Sequence, residues 1–269
     1  MSPIYVPGKV TLAKPSGASW IITGSFAQPD EPEALDYIAA VEAADGQTLE
    51  DGVKFAYNSF IKGCKADGIW DAIKASCILA GARTLNGALV PLVGTAPTNY
   101  NFVEGDYNRE TGLKGDGSAK YLDSNRRGID DPLNNQHLSV YAGALGTLQA
   151  RQLAGVTGDT VISDYPGNSQ TRFVSRNSSP ERNRPAPNGG LQSVSRSGPT
   201  EWVARCSGSQ FAYVDVSVSA SSNNLLIFTA GSSYSNARIA FYSIGEFLDL
   251  ALLDSRVTTL MSDLAAAIP

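Results

Sequence analysis

The clearest pattern of hydrophobic and polar positions lies near the C-terminus, where an alternating segment runs into an amphipathic one. Residues 238–244 read RIAFYSI, which has the composition and period of a strand. After Gly245, apolar side chains between Leu248 and Leu264 recur at helical spacing. This order predicts a last strand closed by a single helix, which is typical of a β-sandwich rather than of an α/β enzyme.

The N-terminal third of the chain predicts two further units. Residues 1–33 contain five prolines around two short strand-like pieces, Val10–Leu12 and Trp20–Thr23, and predict an extended attachment arm. Residues 34–84 have apolar positions at helical spacing and predict a small α-helical module. We expect the last helix of this module, a short one, over Ile69–Leu79.

Residues 85–269 are rich in turn signals and short apolar runs, and they predict a mainly β domain. Short strands at this spacing are typical of a sandwich or a barrel. Residues 178–190 contain three prolines and predict a long surface loop. The clearest strand patterns are Leu138–Ala142, Thr171–Val174, Trp202–Cys206, Ala212–Val218 and Leu225–Phe228.

Composition limits the partners of the chain. It has 21 Lys and Arg against 26 Asp and Glu, a net charge of -5 and a pI near 5.0, which disfavours nucleic-acid binding. No apolar run reaches membrane-spanning length, and we expect neither membrane insertion nor a secretory signal. Cys64, Cys77 and Cys206 predict buried free thiols in a reducing cytoplasm, with a Cys64–Cys77 disulfide as the alternative.

The sequence offers no recognisable catalytic apparatus. His137 is the only histidine, and we expect it to be a turn residue at the entrance of a strand. Glycan hydrolysis needs two carboxylates on one surface, but Asp116, Asp123, Asp215 and Glu201 are isolated in the sequence. Phosphate-binding glycine loops and spaced calcium ligands are missing. We therefore predict a protein that is not an enzyme, with no catalytic residues, no cofactor and no metal.

Two segments carry a family resemblance: Gly112–Ser124, which reads GLKGDGSAKYLDS, and Ala240–Gly245 with the helix that follows. Together they resemble the opening and closing elements of the concanavalin A-like, laminin-G-like jelly rolls. The resemblance implies that the first segment pairs with the strand before the last helix. We therefore expect a jelly-roll (concanavalin A-like) β-sandwich over residues 85–269, with the C-terminal helix included.

A second resemblance rests on residues between Tyr37 and Leu122. Its motifs are EAADG at 42–46, CKADGIW at 64–70 and GDYNR at 105–109. They look like the helical and lectin-like modules of virion proteins of tailed bacteriophages. The resemblance implies a virion component that is assembled in the host cytoplasm and released by lysis, with other virion proteins as its partners. Tail fibre and capsid decoration both remain open.

One predicted strand carries a candidate glycan contact. Phe211, Tyr213 and Asp215 alternate with apolar residues that we expect to face the core. An aromatic ring beside a carboxylate on an open sheet is a common means of weak sugar recognition. The alternative is ordinary cross-strand pairing or subunit packing.

Two sets of residues are candidate subunit contacts. Tyr57 and Phe60 lie on an apolar helix face that either packs against another subunit or covers the sandwich. Arg182 and Arg184 belong to a locally basic segment, and residues 28–51 contain eight acidic and no basic residues. The two segments predict electrostatic contact between subunits of a homo-oligomer, with a trimer as the first hypothesis, or else solvated surfaces.

These observations predict a non-enzymatic phage virion structural protein. It would be attached through its N-terminal region and display a lectin-like sandwich on the particle surface. The alternative is a receptor-recognition protein that binds a glycan on the host surface. A third interpretation, a glycan depolymerase, is disfavoured by the absence of a paired-carboxylate pattern.

Overall fold

The computed structural model describes residues 28–147, 151–165, 168–177, 182–185 and 189–269, together with the backbone of three short strands within residues 5–22. Its helices are α1 (Pro32–Asp45), α2 (Asp51–Ala66), α3 (Leu85–Ala88) and α4 (Leu250–Ala267). Its N-terminal strands are β1 (Tyr5–Val6), β2 (Lys9–Ala13) and β3 (Ser19–Ile22). The remaining strands are β4 (Ile73–Ile78), β5 (Thr98–Tyr100), β6 (Tyr107–Asn108), β7 (Gly112–Lys114), β8 (Tyr121–Arg127), β9 (Gln136–Ala144), β10 (Arg151–Gly155), β11 (Thr160–Tyr165), β12 (Gln170–Ser175), β13 (Arg182–Pro185), β14 (Gly190–Arg196), β15 (Glu201–Cys206), β16 (Ser209–Val214), β17 (Asn224–Ile227) and β18 (Arg238–Gly245).

Two antiparallel sheets form a sandwich. Sheet I has the strand order β13-β12-β11-β10-β17-β8-β5. Sheet II has the order β16-β15-β14-β9-β18-β7-β6, and β4 also pairs with β18. The chain crosses between the sheets several times, as in a jelly roll. The predicted mainly β sandwich, with helices before it and one helix after it, is confirmed.

The N-terminal strands pair with one another in a separate three-stranded sheet, in the order β1-β2-β3. Strand β2 contains the predicted piece Val10–Leu12, and β3 contains most of Trp20–Thr23. Helix α1 begins at Pro32, so the helical module starts two residues earlier than predicted. The other residues of the predicted arm before residue 28 lie outside the described residues.

Helices α1, α2 and α4 form a third layer on the outer face of sheet II. Their buried apolar side chains make one core with residues of sheet II such as Leu191 and Phe241. The Phe60 ring lies 5.7 Å from that of Phe241 in an edge arrangement, and the Tyr57 hydroxyl donates to the carbonyl of Ala80 at 2.8 Å. Both side chains are buried inside the chain, which corrects the prediction that Tyr57 and Phe60 contact another subunit. The apolar helix face covers the sandwich instead.

A second core fills the space between the two sheets. Sheet I contributes Leu122, Ile162 and Phe173, and sheet II contributes Leu138 and Val194. All five side chains are fully buried, and they alternate along their strands with residues that face outward. The molecule therefore has a helix layer and two sheet layers, with an apolar core at each of the two interfaces.

The pairing that the jelly-roll resemblance implies is present. Leu113 of β7 lies opposite Ile239 of β18, the strand before the last helix. Gly112 has a φ of 92°, and a Cβ atom there would lie 2.3 Å from the carbonyl oxygen of Ile239. Glycine is therefore required at this position by both conformation and space.

The predicted helix over Ile69–Leu79 is wrong. A short 3-10 turn, Trp70–Ala72, is followed by strand β4, which pairs with β18. The run IKASCI is buried on both of its faces, and an apolar run of this length has no period that separates strand from helix. Residues 73–78 therefore belong to the sandwich, although the sequence places them in the helical module.

Most of the remaining local predictions agree with the structure. Strands β9, β12 and β15 cover the predicted ones. Strand β17 covers the predicted Leu225–Phe228 except for Phe228, and the strand predicted over Ala212–Val218 starts at Ser209 and ends at Val214. The loop predicted over 178–190 contains β13, and its residues 178–181 and 186–188 lie outside the described residues.

The three cysteines are free and buried, as predicted. Among the described residues, no helix is long and apolar enough to span a membrane.

His137 is a buried strand residue, which corrects the prediction of a turn residue. Its Nδ1 lies 2.6 Å from the carbonyl oxygen of Glu246, and its Nε2 lies 2.7 Å from the hydroxyl of Ser243. Burial lowers the pKa of His137 to about 4, because the charged imidazolium is poorly solvated inside the protein. The ring therefore links β9 to the end of β18 as a neutral group.

We expect His137 to make the fold acid-sensitive. Because its pKa is lower in the folded chain than the usual value of about 6.5, the unfolded chain binds a proton first as the pH falls. Its stabilising contribution is complete above about pH 6.5 and declines by up to about 3 kcal/mol by pH 4. Urea denaturation of the natural chain and of His137→Gln across this range measures the difference. A stability difference that does not change with pH would contradict the assignment.

Candidate functional site

Five residues lie together in the structure and are named here the edge cluster. The sequence suggested some of them as glycan contacts and the others as subunit contacts. Arg182 and Arg184 lie on β13, the edge strand of sheet I. Phe211 and Tyr213 lie on β16, the edge strand of sheet II, and Asp215 follows that strand. The edge cluster therefore joins the two sheets along one side of the sandwich.

Charged, aromatic and hydrogen-bonding contacts connect the members of the edge cluster. An Nη of Arg182 lies 2.6 Å from a carboxylate oxygen of Asp215. The Nε of Arg184 donates to the hydroxyl of Tyr213 at 2.6 Å. The guanidinium carbon of Arg184 lies 4.7 Å from the centre of the Phe211 ring and 5.2 Å from that of Tyr213. Such stacking of a guanidinium on aromatic faces is favourable.

The prediction that the apolar face of this strand is the core face is wrong. Val214 and Val216 are 77% and 70% exposed, whereas Tyr213 and Asp215 are buried. The reason is Trp202 on β15, whose ring lies 4.4 Å from the Tyr213 ring and whose indole nitrogen donates to Asp215 at 3.0 Å. The aromatic and acidic side chains thus face inward because their partners lie there.

This geometry changes what the two predicted sites can do. Tyr213 and Asp215 are buried and contact other residues of the same chain. Phe211 is half-buried, and Arg184 stacks on its ring, so neither aromatic residue presents an open face to a sugar. Arg182 is paired with Asp215 within the chain. The residues predicted as glycan and subunit contacts therefore close the sandwich edge.

Acidic residues of the segment 28–51 form ion pairs with basic residues of the same chain. Lys54 lies 2.8 Å from Glu42, and Arg109 lies 2.6 Å from Glu50. In the basic segment, Arg176 and Arg196 are fully buried, so neither contributes to a basic surface. Attraction between the two segments of neighbouring subunits remains a prediction, but fewer charges are available for it.

An open aromatic surface lies on the opposite edge of sheet I. Tyr100 on the edge strand β5 is directly opposite Tyr121 on β8, with ring centres 4.3 Å apart and planes 4° from parallel. The Tyr234 ring lies 5.9 Å from that of Tyr121, with the two planes at 54°. Tyr100 is 40% exposed. These three residues are named here the tyrosine row.

Hydrogen bonds from asparagine side chains hold the tyrosine row in place. Asn125 has a φ of 57° and donates to the carbonyl of Ala96 at 2.8 Å and to Thr98 at 3.1 Å, which ties β5 to β8. Asn101 has a φ of 71° and donates to the carbonyl of Ala119 at 2.8 Å. The backbone on both sides of Tyr100 is therefore anchored, so little conformational entropy remains to be lost on binding.

The loop that carries Tyr234 is anchored in the same way. The side-chain oxygen of Gln152 accepts the backbone N–H groups of Ala230, Ser232 and Ser233 at 3.0 to 3.3 Å. Gln152 also forms an isolated bridge with Tyr234 itself. One side-chain amide on β10 thus fixes the third member of the tyrosine row.

Polar groups stand beside these rings. Asp123 projects from the same face of β8 as Tyr121, because Leu122 between them is buried in the core. Asn224 donates to Asp123 at 3.1 Å, which orients the carboxylate. Burial, together with the neighbouring tyrosines and Asp123, raises the pKa of Tyr121, so its hydroxyl stays protonated at neutral pH. The surface combines an exposed ring with fixed donors and an acceptor.

The sequence did not single out the tyrosine row. Tyr100 and Tyr121 are twenty-one positions apart, and their pairing depends on the register between β5 and β8. The only local signal is the NYN triplet at 99–101, since asparagine tolerates the left-handed backbone of a tight turn. That signal predicts a turn but not a binding surface.

The possible metal ligands among the described residues are not grouped. No group of three or more His, Cys, Asp or Glu within them is placed to hold a metal ion. Asp116 lies in a turn and accepts the backbone N–H groups of Ser118, Ala119 and Lys120. Partial burial raises the pKa of Asp116, but the hydrogen bonds from these N–H groups lower it by a larger amount. The pKa of Asp116 is therefore below its usual value. This glycine-rich motif therefore forms a turn.

No protein-family model matches the chain, and neither does any curated protein sequence. Solved structures resemble it in fold. The botulinum neurotoxin serotype D binding domain is 7% identical over 70% of this chain and 51% of that one, with a TM-score of 0.47. The binding domain of botulinum neurotoxin DC in complex with rat synaptotagmin II is 11% identical, over 72% of this chain and 52% of that one, with a TM-score of 0.45.

A sialidase from Trypanosoma rangeli is 12% identical over 79% of this chain and 39% of that one, with a TM-score of 0.42. The chain thus spans about half, or less, of the length of these neighbours. Likenesses at this level leave both ligand and function open.

Removal of the Asp215 carboxylate tests the structural role of the edge cluster. We expect Asp215→Ala to lower the free energy of unfolding by about 2–3 kcal/mol, because Arg182 and the Trp202 indole lose their partner. Glu201→Gln, an exposed change on the neighbouring strand β15, should alter stability by less than about 0.5 kcal/mol. Urea denaturation measures both. Equal stabilities for the two variants would show that the cluster does not close the edge.

Proposed function

We propose that this protein is a non-enzymatic binding module that recognises a glycan on a cell surface through the tyrosine row. The observation that carries the proposal is the 40% exposure of Tyr100, an aromatic ring held rigidly at a sheet edge by its stack on Tyr121. The C–H face of a pyranose ring packs well on such a surface. Asp123 and the tyrosine hydroxyls would then hydrogen-bond the sugar hydroxyls.

The same surface supports binding without hydrolysis. A glycosidase needs a second carboxylate facing the first across the scissile bond. The residues on either side of Asp123 on its face of β8 are Tyr121 and Asn125, so the strand supplies one carboxylate and no partner. We therefore include the absence of enzymatic activity in the proposal.

Tyr100 is the residue to test. Binding of purified protein to cell-surface polysaccharides on a glycan array identifies a ligand, and titration calorimetry measures the affinity. We expect Tyr100→Ala to weaken binding about tenfold, because loss of one stacked ring removes about 1 kcal/mol or slightly more. Tyr100→Phe keeps the ring and should retain most of the affinity.

Val214→Ser provides the matched control, since it removes another exposed apolar side chain on the opposite edge of the sandwich. If Tyr100→Ala binds as tightly as the natural chain, the tyrosine row is not the binding surface. A rise in reducing ends during incubation with the bound polysaccharide would instead make the protein a depolymerase.

A phage virion structural role is the second candidate, and it is compatible with glycan binding. The separate N-terminal sheet β1-β2-β3 supports it, because this sheet pairs with neither sheet of the sandwich in the described structure and so offers a distinct element for attachment. Under this proposal the chain is displayed as a homo-oligomer, with a trimer as the first hypothesis, on a tail fibre or a capsid.

Mass spectrometry of purified particles tests this candidate. We expect the intact chain in the particle fraction, and we expect deletion of residues 1–27 to move it to the soluble fraction while the sandwich remains folded. Circular dichroism of the truncated chain controls for folding. A full-length chain that stays soluble while particles assemble normally would argue against the virion role.

A further inference from the structure

The strands at the ends of the two sheets differ in how well they are protected against further pairing. An edge strand presents free N–H and C=O groups, and proteins protect such edges by short length, charged side chains or proline. Strands β5 and β6 have three and two residues, and β13, which reads RNRP, carries two arginines and a proline. Strand β16, which reads SQFAYV, has six residues with neither a charge nor a proline. Among the described residues, it is the unprotected end of a sheet.

The free hydrogen-bonding groups of β16 belong to alternate residues. Asp215, which follows the strand, donates its N–H to the carbonyl of Thr200 at 2.8 Å, in the register that pairs β16 with β15. Because the direction of the backbone groups alternates along a strand, the residues two and four positions before Asp215 also bond to β15. The residues that direct their N–H and C=O groups away from β15 are Gln210, Ala212 and Val214. In the described part of the chain, no strand pairs with β16 on that side.

The side chains of β16 leave this edge open and hold it in place. The three residues with outward backbone groups are all exposed, Val214 to 77%. On the other face of the strand, Arg184 stacks on Phe211. The Trp202 ring of β15 lies 4.4 Å from the Tyr213 ring. The edge is therefore accessible and already ordered, so pairing with another strand costs little conformational entropy.

The sequence of β16 is complementary to its own copy. In an antiparallel pair centred on Ala212, three kinds of cross-strand pair form between the copies: Ala212 with Ala212, Phe211 with Tyr213, and Gln210 with Val214. The small residue thus lies on the two-fold axis, where identical side chains meet, and an aromatic pair forms on each side of it. Residues 207–214 contain no charge, so no like charges face each other across the axis. An isologous contact requires such self-complementarity.

We infer that β16 is an interface at which two copies of this chain pair as antiparallel strands, which joins sheet II of each copy into one continuous sheet. Each pair of residues with outward backbone groups exchanges two hydrogen bonds, so about six form. The contact closes with two copies and gives a dimer, which differs from the trimer considered for the virion role. The tyrosine row lies on the other edge of the sandwich and stays free in both copies, so the inference does not depend on the proposed function.

Light scattering after size-exclusion chromatography measures the mass of the full chain, 28.3 kDa for one copy, over a range of concentrations. Since one six-residue strand makes a small interface, we expect a reversible dimer with a dissociation constant of about 1–100 μM. Ala212→Lys should raise this constant at least about tenfold, because it places two ammonium groups face to face at the axis. Val103→Lys adds the same charge at another exposed apolar residue and should leave the dimer unchanged.

A cysteine cross-link tests the register independently of charge. In the paired strands, the two copies of position 212 have Cα atoms about 5.5 Å apart, within reach of a disulfide. Under oxidation with diamide, we expect Ala212→Cys to form a covalent dimer. Val214→Cys is the matched control, since its two copies would lie roughly 14 Å apart along the strands, at about 3.4 Å per residue. The three natural cysteines are buried and should not compete.

Three outcomes would overturn the inference of a β16 dimer. They are a chain that stays monomeric up to roughly 100 μM, a folded Ala212→Lys that associates as tightly as the natural chain, and a Val214→Cys that cross-links as fast as Ala212→Cys. Circular dichroism shows whether Ala212→Lys is folded. Should it fail to fold, the two cysteine variants decide the question by themselves.

Discussion

Strand β18 is the constraint on which the rest of the structure depends, because protein covers both of its faces and both of its edges. Strand β9 pairs along one edge, and β7 and β4 share the other. Ile239 and Ile244 belong to the core between the sheets, whereas Phe241 belongs to the core under the helices. Every layer of the molecule is therefore positioned against this one strand.

A bulge in β18 allows it to serve both cores. Its register with β9 shifts between Ile239 and Phe241, and the adjacent residues Ala240 and Phe241 both lie on the helix side. If side chains alternated strictly along β18, either Ala240 or Phe241 would point toward the core between the sheets. With the bulge, Phe241 meets Phe60 of α2, and α4, which follows the strand, packs on the same helix. Two ion-pair contacts of Arg256 with Asp67, at 2.7 and 2.8 Å, join the two helices.

The sequence predicted the parts of this arrangement that local pattern controls. The strand-then-helix order at the C-terminus is such a feature, and it holds in the structure. The pairing of β7 with β18, which the jelly-roll resemblance implied, is also present. Strand β4 was missed because an apolar run that is buried on both faces has no period. The inward face of β16 was assigned wrongly because the partners of Tyr213 and Asp215 lie on other strands. The tyrosine row depends on strand register, which no local pattern specifies.

The helix layer also limits where ligands can reach the sandwich. Since α1, α2 and α4 cover most of the outer face of sheet II, the accessible surfaces of the described residues include the outer face of sheet I and the two edges. The β5 edge is aromatic, with Asp123 as its fixed acceptor, whereas the β13 edge carries Arg182 and Arg184, which contact Asp215 and Tyr213. The two edges thus differ in their chemistry.

Asp164, Thr171 and Gln192 form a polar interior behind the β13 edge, and this interior bears on the stability of the sandwich. Burial raises the pKa of Asp164 to about 6, so the folded chain carries a carboxyl group that is costly to ionise there. Several unpaired atoms at about 1–3 kcal/mol each are a large fraction of the roughly 5–15 kcal/mol that stabilises a typical domain. An apolar set of the same shape would avoid that cost. The polar interior at this end therefore lowers the stability of the sandwich relative to an apolar core of the same shape.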